Sequence, residues 1–168
     1  LVAFSFAANA QCEEDYAIYR NEYKQKNYDE ALKSWRKVYN NCPEFNQNTF
    51  ANGPKLYHHR IKIDKVNKFA YLDTLMMIYD TRIQYFQRRE YVLGKKGVDL
   101  LKYDENRVSE AYEMLKVSVK SLGNLTDPTV IVSYFKALDN VQRSSEEVSK
   151  QDVLESYIFV SDIISYNI

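Results

Sequence analysis

Residues 16–43 read YAIYRNEYKQKNYDEALKSWRKVYNNCP, and the fold can be worked out from this stretch. Tyr28, Ala31, Leu32, Trp35, Val38 and Tyr39 recur at i, i+3, i+4, i+7, i+10 and i+11. That spacing lays one apolar stripe along a helix. Asn27 followed by Glu30 is a variant of the capping box and predicts a helix start there. Tyr16, Tyr19 and Tyr23 form a second stripe just upstream. Two stripes joined by about four polar residues describe an αα-hairpin.

The same stretch resembles one tetratricopeptide (TPR) repeat, a pair of short antiparallel helices with a W-x2-L-G-x2-Y, A-x3-F and Pro pattern. Ala31 takes the small packing position, Trp35 the aromatic one and Pro43 the terminal proline. Tyr28 stands where such repeats carry an aromatic. With an inter-helix turn one residue short, Tyr16, Tyr19 and Tyr23 take the W, L and Y positions, and Arg20 replaces the glycine. The resemblance implies an all-α array of about four antiparallel hairpins that binds or scaffolds other molecules.

Downstream, the match rests on period and length. A polar loop, EFNQNTFANGP, is expected after Pro43, with Pro54 in the first turn of a short helix to Ile63. Asp64 is expected to cap a helix of about 25 residues reaching Arg89, with Phe69, Leu72, Met76, Tyr79, Ile83 and Phe86 as its seam. Tyr91–Tyr103 and Val108–Leu122 make a third hairpin, in which Leu93-Gly94 resembles the L-G pair and Gly97 weakens the helix. A fourth is expected from Pro128 to about Val141 and from about Glu146 to the end, with Val153, Tyr157, Val160 and Ile164 on its last stripe.

Composition narrows the function classes. Only 4 Gly and 3 Pro argue against a turn-rich sandwich or barrel. Lys+Arg 23 against Asp+Glu 23 removes the electrostatic footprint of a nucleic-acid binder. Residues 1–10, LVAFSFAANA, resemble the end of a signal peptide with Ala8-Asn9-Ala10 as its cleavage site; a short hydrophobic arm is the other reading. The repeat domain then covers residues 11–168, with room to continue beyond. No other stretch is long and apolar enough to span a bilayer. The expectation is an exported protein, periplasmic or outer-membrane-associated, of a Bacteroidota-like type.

Export gives the two cysteines a meaning. Cys12 and Cys42 fall at adjacent ends of the first hairpin, where a disulfide is natural in an oxidising compartment, with two free thiols as the alternative. His58 and His59 are neighbours on a helix and point about 100° apart, so no metal site is expected. No cofactor motif and no catalytic constellation stands out. Asp73-Thr74-Leu75 resembles a short O-glycosylation signal. Most of the fifteen tyrosines suit helix stripes. Tyr57, Tyr71 and Tyr85 fall off them and are candidates for a groove that binds peptides or sugars. The sequence thus points to a non-catalytic protein–protein interaction or assembly scaffold, with a glycan- or peptide-binding accessory protein as the alternative. The last segment, LESYIFVSDIISYNI, is apolar on more than one side and suggests self-association or a partner there.

Overall fold

The computed structural model describes residues 2–144 and 148–166, with side chains described from residue 10 onward. Among these residues the fold is all-α, with no strand. Two compact units divide between Gln87 and Arg88. The first holds α1 (Val2–Lys24), α2 (Tyr28–Asn41), α3 (Asn48–Ile63) and α4 (Lys68–Tyr85). The second holds α5 (Arg89–Tyr103), α6 (Val108–Leu122), α7 (Pro128–Ser144) and α8 (Lys150–Tyr166). Short 3-10 turns at Glu105–Arg107 and Gly123–Leu125 precede and follow α6.

In the first unit α1 packs on α2, α2 on α3 and α3 on α4. The expected first hairpin is present, and its centre is Trp35. The indole is fully buried, stacks on Tyr39 at 4.9 Å and donates from Nε1 to the Thr49 carbonyl at 2.7 Å. Tyr19 and Ala31 are fully buried as well, while Tyr16, Tyr23, Tyr28 and Pro43 are half-buried. Tyr16 still meets the Tyr19 ring edge-on, and Tyr23 meets Tyr28 across the turn. The helix start at Tyr28 is where expected, but the capping box is not made. Asn27 donates to Glu22 across the hairpin turn, and Glu30 pairs with Lys33 instead.

Three expectations for the rest of this unit need correcting. The segment after Pro43 is helical from Asn48, so Gly53 and Pro54 lie inside α3 rather than ahead of it. Asn46 nucleates that earlier start by accepting from the Asn48 N–H at 2.9 Å. Pro54 forfeits one helix hydrogen bond, and Gly53 beside it lies against the Trp35 indole. The helix expected to run about 25 residues from an Asp64 cap is shorter. Asp64 closes α3 in extended backbone and accepts from Asn67, so α4 starts only at Lys68. α4 stops at Tyr85, because Phe86 turns extended and packs its ring on Phe50 at 5.5 Å. Arg88 then adopts the left-handed region at φ 76°. Within the expected seam Leu72, Met76 and Tyr79 are buried, with Leu75 and Ile78 beside them. Ile83 and Phe86 are half-buried, and Phe69 alone is turned out, 55% exposed.

In the second unit α5 packs on α6 and α7, α6 on α7, and α7 on α8. Gly97, expected to weaken α5, serves close packing: a Cβ there would stand 2.7 Å from Leu115 Cγ. Gly94 similarly faces Ser118 and Val130. The core joins Leu115, Val119, Tyr134, Leu138, Val160 and Ile163. α7 extends to Ser144, three residues past its expected end, and α8 begins at Lys150. The expected start near Glu146 and the end at Ile168 lie outside the described residues.

Candidate functional site

α8 starts on a reciprocal cap. Ser149 Oγ accepts from the Asp152 N–H at 3.1 Å, and Asp152 Oδ2 accepts from the Ser149 N–H at 2.9 Å. The Ser149 hydroxyl and amide hold the Asp152 carboxyl below its ordinary range. This Ser-x-x-Asp capping box stands in the sequence and marks the helix start, though the turn upstream draws more notice.

From that start the side chains distribute unevenly around α8. Val160 and Ile163 are buried, with Val153 packed against the same core. The stripe expected to be inward is therefore rotated: Tyr157 is 62% and Ile164 47% exposed. Leu154, Tyr157, Ile158, Ser161, Ile164 and Ser165 recur at i, i+3, i+4, i+7, i+10 and i+11 and form an outer stripe. At about 100° per residue, the arc free of carboxylates covers about 220°, twice the ~100° a surface helix needs to seat itself. Lys150, in the first turn, is its one charge. Only the inner part of the arc is covered by the unit. The remaining sector carries Asp152, Glu155 and Asp162, so the free edge of the outer stripe is acidic.

A groove of 520 Å³ runs beside α8. Lys116 and Lys120 line it from α6, Asp152, Glu155 and Phe159 from α8. Below them Tyr112 and Tyr134 stack at 5.8 Å with planes 12° apart, and Tyr134 shares a 2.8 Å hydrogen bond with Ser156. Burial first, then the neighbouring Tyr134, pushes the Tyr112 hydroxyl well above its ordinary range. Sequence reasoning missed this groove because it is assembled from three helices, each with an ordinary stripe.

The residues singled out by sequence are spread over the first unit. Cys12 and Cys42 are joined in a disulfide with Cα atoms 5.9 Å apart. The bond indicates an oxidising compartment. Tyr57 is core rather than groove: 3% exposed, it meets Trp35 edge-on, and its hydroxyl accepts from Arg36 Nε at 3.3 Å. Tyr71 is half-buried, donating to Asp64 at 2.8 Å and accepting from Arg60 at 2.9 Å. Tyr57 and Tyr71 approach at 6.3 Å, and Tyr85 sits half-buried at the end of α4. His59 packs on Tyr28 at 4.9 Å; among the described residues no His, Cys, Asp and Glu group is placed to hold a metal. Thr74 of the Asp-Thr-Leu triplet bonds back to the Ala70 carbonyl at 2.9 Å. No helix among the described residues is long and apolar enough to cross a membrane. Comparison with known proteins matches no protein family, no curated protein and no solved structure.

Proposed function

We propose that the chain is a non-catalytic protein-interaction or assembly module of a bacterial cell envelope, built on TPR-like hairpins and working in the periplasm or at the outer membrane. One observation carries this reading: the outer stripe of α8, where Leu154, Ile158 and Ile164 are each about half exposed. Apolar side chains gathered on one face, rather than scattered singly, mark a surface meant to be covered. Helical hairpins in a stack present such a face to the next element. The disulfide supports the compartment.

The test is site-specific photocrosslinking in the native envelope. A photoreactive residue at Ile158 should give discrete protein adducts that Leu154→Glu abolishes, while one at exposed Lys33 should not. Adducts of equal yield at both positions, or none at Ile158, would sink the reading. The accessory-protein alternative draws its support from the groove between the lysines of α6 and the carboxylates of α8. It requires binding of a peptide or glycan that Lys120→Glu removes and Ile158→Glu leaves intact.

A further inference from the structure

From the charge bordering the α8 outer stripe, we infer that its occupant is an amphipathic helix of another protein with Lys or Arg along its edge, and not a second copy of this chain. The inference rests on the interaction-module reading and names the partner's chemistry. The stripe is straight, three turns long and of helical period, which suits another helix laid along it. Its inner border adjoins Val153, which packs on the core, and the acidic residues of α8 border the stripe on the opposite side. That border carries Glu155 and Asp162, both exposed. No cation on α8 lies beside them; the only one, Lys150, is in the first turn. Lys116 and Lys120 face Glu155 across the groove, and Asp162 lies about two turns further along the helix.

Symmetry argues against self-association. A two-fold axis relating antiparallel helices keeps each flank on its own side of the seam. An α8 dimer of that kind would set the Glu155 and Asp162 edge of one copy beside the same edge of the other. Like charges at a rim suppress a wrong partner, and opposite charges select the right one. A parallel dimer would instead drive the acidic edge of one copy into the side of α8 that its own unit already covers.

Two designed 18-residue helical peptides test this on the whole chain, with fluorescence anisotropy near physiological salt. Both carry one leucine face; one has lysines along its edges, the other glutamates. The lysine peptide should bind saturably and about tenfold more tightly than its twin. Glu155→Lys combined with Asp162→Lys should reverse that order, and Ile158→Glu should remove binding of the lysine peptide. The two lysine substitutions lie on the exposed edge, so they decide the matter even where Ile158→Glu disturbs folding, which circular dichroism will report. Absence of saturable binding, equal affinities, or an order unmoved by the edge reversal would overturn the inference. So would a dimer in sedimentation that Ile158→Glu dissociates. Discrete envelope adducts at Ile158 together with a failed peptide order would overturn the basic-helix assignment alone.

Discussion

Gly53 lies flat against the indole of Trp35: a Cβ at that position would stand 2.9 Å from Cε2. The contact lets α3 cross α2 closely, and it places the Thr49 carbonyl where the indole N–H reaches it. Gly53 also precedes Pro54, whose ring disfavours helical backbone in a preceding residue that bears a Cβ.

On an open helix, Gly→Ala stabilises by about 0.5–1 kcal/mol. Here Gly53→Ala should instead cost about 1–3 kcal/mol, from overpacking against the ring. Trp35→Ala should cost about 3–5 kcal/mol as a buried aromatic truncation. In the Trp35→Ala background, Gly53→Ala should cost clearly less, because the ring atoms that met the new methyl are gone. Only the strain of a Cβ ahead of Pro54 remains. Urea unfolding of the four proteins checks the set; additive losses would show that the two residues do not share one contact.

The Cys12–Cys42 bond closes a loop with a sequence separation of 30. Loop-closure entropy predicts that reduction lowers stability by about 3.6 kcal/mol. Intact-mass analysis before and after reduction and alkylation should show no alkylated thiol in the native protein and two after reduction. An unchanged unfolding midpoint in reductant would show that the hairpin closes without the bond.

Asp127 receives Lys95 Nζ at 2.8 Å and the Thr129 N–H at 2.8 Å, so it tethers α5 to the start of α7. The lysine hydrogen bond, ahead of the Thr129 contacts, holds its carboxyl below the ordinary 3.8. A lowered folded value means that its stabilisation is present above 3.8 and is lost as pH falls below it. Asp127→Ala should cost about 1 kcal/mol at neutral pH as a lost cap. The difference from wild type should shrink on acidification below that value. A difference that persists at the lowest pH where the protein stays folded would contradict the assignment.

Tyr19 is fully buried, and desolvation pushes its hydroxyl up to about 12 despite the Asn52 hydrogen bond. A raised folded value means that stability is complete below the ordinary 10.0 and is lost as pH climbs toward 12. Tyr19→Phe should therefore flatten the loss of stability on the alkaline side, measured by denaturant midpoints at successive pH values. An unchanged alkaline slope would show that the hydroxyl is solvated.

The first hairpin was legible in the sequence because one residue type settles each position: Trp35 and Ala31 admit one orientation of the stripe. The start of α3 was not, since Gly53-Pro54 reads as a turn until the indole that requires the glycine is in place. The end of α4 was hidden for a similar reason. Phe86 continues the helical period, and only its contact with Phe50 shows that the backbone has already left the helix. On α8 the period was visible but its phase was not: two apolar stripes share the helix, and α7 decides which is inside. Tyr57 carried the opposite error, because a tyrosine off the main stripe of α3 still found the edge of Trp35.

The disulfide uses both cysteines of the chain, and neither lies in the second unit. Oxidised protein therefore has no sulfhydryl for a maleimide dye to reach. A cysteine placed at Ile158 or Ile164 would be the sole site of labelling, without any protecting substitution elsewhere. A solvent-sensitive dye there would watch the outer stripe of α8 alone, and could follow in real time the moment at which that face leaves water.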